Sequence, residues 1–275
     1  MKWKLMTLLF LVAAFIGYTF IFSQKSNYSI SHQTSNTKIE KVIGVTGLDM
    51  TVINIFQKFS KNNHFIDELL VFISKNSFFK GGLLIIAFWW LWFPPNNQVT
   101  SERRVKIILG LLSGFLAIFI GRVLVLCMPF RVRPINNPDL HLVLPYGTDN
   151  IGLDKLSSFP SDHAVLFYAI VTSLFLIARK AGILAFLYTI IFITFSRVYL
   201  GFHYATDVIV GALIGITVSY FIFNNKYAQK LGEKIYGLSI QKSQFFYPAF
   251  FIISFELANL FEDMRAGITF LTHYA

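Results

Sequence analysis

Long apolar runs separated by short polar stretches set the pattern of this chain. A helix needs roughly 17–25 apolar residues to cross a bilayer. Runs approaching or reaching that length lie at residues 3–22, 78–93, 107–127, 163–178, 182–200 and 207–223. A seventh run, 245–261, is interrupted by Glu256. Between the first two, residues 23–77 begin polar and then show two helical periodicities. Leu48, Val52, Ile55, Phe56 and Phe59 form one; Phe65, Ile66, Leu69, Leu70 and Ile73 form the other. Apolar positions three and four apart predict short amphipathic helices, lying in the membrane interface or covering packed protein. The expected architecture is an all-α, polytopic membrane helix bundle with a six-helix core and a seventh span. Residues 1–22 form an anchor helix, 23–77 an extracytoplasmic segment, 78–223 the core, and 224–275 a cytoplasmic basic loop followed by a C-terminal span.

Composition supports the membrane reading. The 275 residues are 55% hydrophobic and only 14% charged, with 31 Phe. A soluble domain carries about a quarter charged residues. The net charge of +10 does not point to nucleic acid, because the basic residues are dispersed among loops. Lys2, Lys4, Arg103, Arg104, Lys106, Arg179, Lys180, Lys226, Lys230, Lys234 and Lys242 all fall on one side if the runs alternate. By the positive-inside rule that side is cytoplasmic. Residues 130–162 and 201–206 then face outside. The first run also fits a signal peptide, but no small-x-small cleavage site follows it, so a retained anchor is expected. The lone cysteine, Cys127, sits among apolar neighbours and excludes an internal disulfide.

The chemistry-bearing residues gather where apolar runs begin or end, on that outer side. In Phe159-Pro160-Ser161-Asp162-His163, Ser161 is a natural helix N-cap. Free backbone N–H groups at a helix start suit an anion, beside which His163 would project. In Ser196-Arg197…His203…Asp207, the His and Asp are four apart. On one helix turn the carboxylate could fix the imidazole tautomer and leave the other nitrogen free to attack. A structural ion pair stapling two helix ends is the plainer alternative. In Phe130-Arg131-Val132-Arg133-Pro134, the two arginines suit oxyanions, in a substrate or in lipid headgroups. Arg122, near the outer end of the third run, could snorkel or reach the same site. No His/Asp/Glu grouping demands a metal, and no cofactor is expected. His64, His141 and His273 read as surface residues, and Asp139, Asp149, Asp154 and Lys155 as loop residues that could shape access.

Phe-Pro-Ser-Asp-His followed by Ser-Arg-x5-His-x3-Asp resembles the type 2 phosphatidic acid phosphatase superfamily. Its members include membrane lipid phosphatases, undecaprenyl-diphosphate phosphatases and, more distantly, vanadium haloperoxidases. The last motif, Ser196-Arg197…His203…Asp207, matches throughout. In the middle one, Asp162 replaces a Gly. In the first, Arg133-Pro134 fits, while Leu126 stands where the family has Lys. The resemblance implies that 78–223 is a phosphatase core in which His203, oriented by Asp207, attacks phosphorus and forms a phosphohistidine. His163 would protonate the leaving oxygen, and Arg133, Arg197 and Ser161 would hold the phosphoryl oxygens. Arg131 or Arg122 would replace the missing Lys. The implied partner is a lipid phosphate or diphosphate, hydrolysed at the outer face of the cell membrane without metal or nucleic acid. A lipid phosphotransferase of the same superfamily, or an ion-coupled transporter using these groups as a relay, are the alternatives.

Overall fold

The computed structural model describes residues 44–93, 101–148 and 156–264. The expected anchor at 1–22, the polar start of the 23–77 segment, and Asp149, Asp154, Lys155 and His273 lie outside them. Among the described residues every regular element is helical, and the order is α1 (Gly47–Gln57), α2 (His64–Lys75), a π-helical turn (Phe78–Gly82) leading into α3 (Leu83–Trp92), and α4 (Ser101–Cys127). There follow α5 (Asp162–Ile177), α6 (Arg179–Tyr188), a second π-helical turn (Thr189–Thr194), α7 (Phe195–Tyr199), α8 (Ala205–Asn224), α9 (Lys226–Gln241) and α10 (Ser243–Ala258). Apart from α9, a helix where a basic loop was expected, each of these helices overlaps a run or an amphipathic pattern read from sequence.

Among the described residues, three helices are long and apolar enough to cross a membrane: Ser101–Cys127, the continuous Arg179–Tyr199, and Ala205–Asn224. α2 together with the Phe78–Trp92 helix passes the same test as a pair bent by 70°. The expected second span is thus the far half of a broken helix. Asp162–Ile177 is apolar but shorter. The chain is a polytopic helical bundle.

At the centre, α5 packs against α8 and α4. Small residues allow that approach: a Cβ on Gly215 of α8 would lie 2.3 Å from the Val165 carbonyl oxygen of α5. Ser113, Ser173 and Ser219 meet from α4, α5 and α8, with Ser173 Oγ 2.8 Å from Ser113 Oγ and 2.7 Å from Ser219 Oγ. Small-residue contacts and short polar bridges are how helices adhere in lipid, where burying apolar surface gains little. α3 and α10 flank this centre, with Phe88, Trp92, Phe246 and Phe250 in one buried cluster. Glu256 is buried in the last turn of α10.

α1 and α2 lie across one end of the bundle, α1 against α8 and α2 against α7. Both start with a side-chain cap: Thr46 Oγ1 accepts from Asp49 N, and Asn63 Oδ1 from Ile66 N. Their orientation departs from the simple amphipathic reading. Leu48, Ile55, Phe65 and Ile66 are exposed, while Asp49 and Asp67 are fully buried. The loop before α5 is tied to the same end. Val143 N donates to Gln57 Oε1 (2.7 Å), and Tyr146 N to Asp67 Oδ2 (3.1 Å). Tyr199 OH also donates to Asp67, at 2.5 Å.

Candidate active site

Three segments far apart in sequence converge at this end: residues 131–135, 157–163 and 197–207. Gly201 makes one junction possible. Its φ is +71°, a left-handed conformation that glycine adopts without penalty, and a Cβ there would lie 3.3 Å from Ile135 N. Ile135 N donates to the Gly201 carbonyl (2.8 Å), so the Arg133-Pro134 turn is stapled to the α7–α8 loop. Ser158 N donates to the Arg131 carbonyl (2.9 Å), and Ser161 N to the Asp207 carbonyl (3.2 Å). Phe202 N and His203 N both donate to the Arg197 carbonyl. Backbone bonds alone therefore fix the spacing of the side chains.

His203 is buried. Its Nδ1 lies 2.8 Å from the Ser158 carbonyl oxygen, which can only accept, so the proton sits on Nδ1. Nε2 then carries a lone pair and accepts from Arg133 Nη1 at 3.3 Å. Burial first, and the Arg133 charge second, push the imidazole below its ordinary 6.5, against an opposing pull from Asp207. The ring is neutral at neutral pH. Asp207 Oδ2 stands 3.8 Å from Nδ1, beyond hydrogen-bond length. The group that fixes the tautomer is the Ser158 carbonyl, and Asp207 stands behind it.

Asp207 belongs to a separate buried network. It accepts from Tyr204 N (2.8 Å) and is ion-paired with Arg131 Nη1. Arg131 Nη2 pairs with Asp49 Oδ2 at 2.6 Å and donates to the Gly44 carbonyl at 3.1 Å. Its Nη1 also donates to Thr206 Oγ1 (2.8 Å), and its guanidinium lies 4.1 Å from the centre of the Tyr204 ring. Burial would lower the Arg131 pKa, but Asp207 and Asp49 outweigh it and hold the guanidinium above its ordinary value. Arg131 was expected among the oxyanion ligands. Buried to 1% exposure and bonded to two carboxylates, it is instead the clamp on Asp207 and α1.

Arg133 and Arg197 differ from it in one decisive respect. Arg133 donates to three backbone carbonyls, Leu156 (3.0 Å), Ser157 (3.1 Å) and Phe202 (2.8 Å), besides His203. Arg197 Nη2 donates to the Ser74 carbonyl (2.8 Å) and to His163 Nε2 (2.6 Å). Among the described residues neither has a carboxylate partner, so their positive charges are oriented without being neutralised. The site thus holds two arginine–imidazole pairs. Beside them, Ser161 Oγ, Ser158 Oγ and Arg197 Nε are buried with no hydrogen-bond partner. Unspent buried donors cost free energy, and a phosphoryl group would satisfy them. Ser161 occupies the N-cap position of α5, yet its hydroxyl makes no capping bond, which leaves it for a ligand. Arg122 pairs with Asp162 Oδ2 (2.8 Å) at the half-exposed rim, and Leu126 is 86% exposed, facing away from any site.

The PAP2 superfamily model matches residues 115–230, the stretch that carries every one of these arginines and histidines. Over that stretch the chain is similar to the PAP2 superfamily. Among curated proteins, this chain is 24% identical over 181 residues to "bacitracin transport permease protein BcrC" of Bacillus licheniformis, covering 64% of this chain and 79% of that one. It is 26% identical over 164 residues to the undecaprenyl-diphosphatase BcrC of Bacillus subtilis, covering 60% and 77%. It is 31% identical over 135 residues to an undecaprenyl-diphosphatase of Sulfolobus acidocaldarius, covering 48% and 61%. No solved structure gives a significant match. The match and these relatives together support a membrane phosphatase acting on a phosphorylated lipid.

Two contributors to the site escaped the motif reading. Asp49 had a sequence signature, the Thr46-x-x-Asp49 spacing of a capping box, but nothing local linked it to Arg131. The Ser158 carbonyl has no side-chain signature at all.

Proposed function

We propose that this protein hydrolyses an isoprenoid lipid diphosphate, of the undecaprenyl diphosphate type, at the extracytoplasmic membrane face through a phosphohistidine on His203. The observation that carries the reading is the geometry of the two arginine–imidazole pairs. Each arginine is oriented by backbone carbonyls, keeps its charge, and lies against the Nε2 of one histidine. Phosphoryl transfer needs positioning and neutralisation of the equatorial oxygens more than it needs covalent help from the protein.

His203 Nε2 attacks the terminal phosphorus, with Nδ1–H held on the Ser158 carbonyl. The P–O bond to the lipid phosphate breaks, and His163, which takes up a proton from solvent when the substrate's negative charge enters beside it, delivers that proton to the departing oxygen. Arg133, Arg197, Ser161 and nearby N–H groups at the start of α5 hold the phosphoryl oxygens. Water then attacks the phosphohistidine, His163 takes its proton, and the P–N bond breaks to release phosphate. A lipid substrate suits a site at the bundle end, since its chain can remain in hydrocarbon. The basic residues at the opposite ends of α4, α6 and α8 support an outward-facing site, and the names of two relatives support the diphosphate.

The test is phosphate release by the purified protein from undecaprenyl diphosphate, phosphatidate and phosphatidylglycerophosphate. Release fastest from the diphosphate is expected. Ion movement without release would favour a conduit, and transfer to a lipid hydroxyl in place of release would favour a phosphotransferase. The pH profile carries a second expectation. Protonation of His203 removes the nucleophile, and its pKa is depressed below 6.5. Activity should therefore persist as pH falls past the ordinary imidazole range and be lost only as it drops through the depressed value. An acidic limb of kcat/KM centred at or above 6.5 would count against a buried, neutral His203 as the attacking group.

A further inference from the structure

We propose that Lys80 reads the second phosphate of the substrate, and that Glu262 holds its place until substrate displaces it. The proposal deepens the diphosphatase reading above and rests on it. Lys80 lies in the π-helical turn that follows the break between α2 and α3, and its side chain is 2% exposed. A lysine inside an apolar run is an expensive placement that asks for a use. Lys80 Nζ pairs with Glu262 Oε2 at 2.8 Å, while the Glu262 side chain is 45% exposed. The pair is thus open on the carboxylate side, where another anion could enter.

The position belongs to the leaving-group half of the site. Arg197, which bonds His163, is itself held by the carbonyl of Ser74, just before the break that leads to Lys80. Gly81 packs against Phe167, where a Cβ would lie 2.7 Å from the ring. Phe167 is one turn along α5 from His163, their rings 6.1 Å apart. Lys80 acts electrostatically on His163, and Glu262 on Arg197. A diphosphate cleaved by His203 leaves as a lipid phosphate on the His163 side. A cation there meets the charged phosphate of the departing group, where a lipid monophosphate would place only an alcohol oxygen.

The way Glu262 reaches Lys80 is the second observation. After α10 the chain reverses through two consecutive non-glycine residues in the left-handed region, Leu260 (φ 52°) and Phe261 (φ 58°). Such residues are strained and persist where surrounding contacts over-determine them. Phe261 N is tied to the Glu256 carbonyl (2.8 Å), and Asn259 Oδ1 accepts from Ser77 Oγ (2.7 Å). The reversal carries a carboxylate back to the Lys80 ammonium. A carboxylate offers two acceptor oxygens, as one face of a phosphate does.

The experiment compares full-length wild type with Lys80→Met, Lys80→Arg and Glu262→Gln on undecaprenyl diphosphate and undecaprenyl monophosphate. A lost charge-assisted contact should lower the diphosphate-to-monophosphate ratio of kcat/KM by about 10–100-fold in Lys80→Met. Lys80→Arg should restore most of it, and Glu262→Gln should keep the ratio at or above the wild-type value. If Lys80→Met fails to fold, Lys80→Met/Glu262→Gln removes both members of the pair and should show the same fall. A ratio unchanged by Lys80→Met, or lowered equally by Glu262→Gln, overturns the proposal while leaving the diphosphatase reading intact. A wild type that prefers the monophosphate overturns that reading itself.

Discussion

His203→Ala is expected to lower turnover of the lipid diphosphate by about 10^4-fold or more, because it removes the nucleophile rather than a stabilising contact. The protein should remain folded. The imidazole bonds only the Ser158 carbonyl and Arg133, and the α7–α8 loop is held independently by the Gly201 and Arg197 carbonyls. Quenching the wild type under alkaline denaturing conditions should trap phosphate on the protein, and the variant should trap none. His163→Ala separates the second role. Loss of a general acid costs about 10²–10⁴-fold, but only where the leaving oxygen needs a proton. With an aryl phosphate whose leaving group is already acidic, phosphoenzyme should still form in His163→Ala and then hydrolyse slowly. Phosphoenzyme that persists in His203→Ala would move the covalent step to another residue.

The helical bundle and the three segments that bring His163, His203, Arg133 and Arg197 to one end were legible because both depend on spacing along the chain, whereas the number of full spans was not: 78–93 is half of a bent pair and α5 is short. An apolar run of bilayer length has few other uses, and charged groups at its ends are costly unless employed. Partner identity was less legible. An i, i+4 spacing suggested that Asp207 holds the His203 ring, yet at the start of α8 that carboxylate turns to Tyr204 N and Arg131. The carbonyl of Ser158, 45 residues upstream of His203, takes the ring proton instead. A backbone group brought in by a distant loop leaves no residue-type signal. The two arginines of Arg131-Val132-Arg133 looked equivalent by composition; only the position of α1, which brings Asp49, assigns one to the frame and one to the site. In α1, the apolar residues marked a face but not its direction. A bundle end in contact with lipid can expose Leu48 and Ile55 while burying Asp49, the reverse of a water-soluble helix.

Arg131→Met should therefore act on stability before it acts on chemistry. It leaves Asp49 and Asp207 buried without their shared cation, and breaking such a pair costs about 3–5 kcal/mol. For a chain of this size that corresponds to a fall of roughly 10 °C in apparent Tm, read in detergent by loss of folded protein on heating. Asp49→Asn should cost less, because Arg131 keeps Asp207 and the remaining amide oxygen still accepts from one of the two N–H groups, Thr206 N or Thr46 N, that bond separate oxygens of the carboxylate. The order of the two effects distinguishes a structural clamp from a substrate ligand. A ligand at the phosphate would raise KM and leave Tm alone. If Arg131→Met melts like wild type and binds substrate poorly, the guanidinium belongs in the oxyanion set with Arg133 and Arg197. If it melts early while the surviving folded fraction keeps its KM, Arg131 is the post on which Asp207, and through it the start of α8 and the His203 loop, are set.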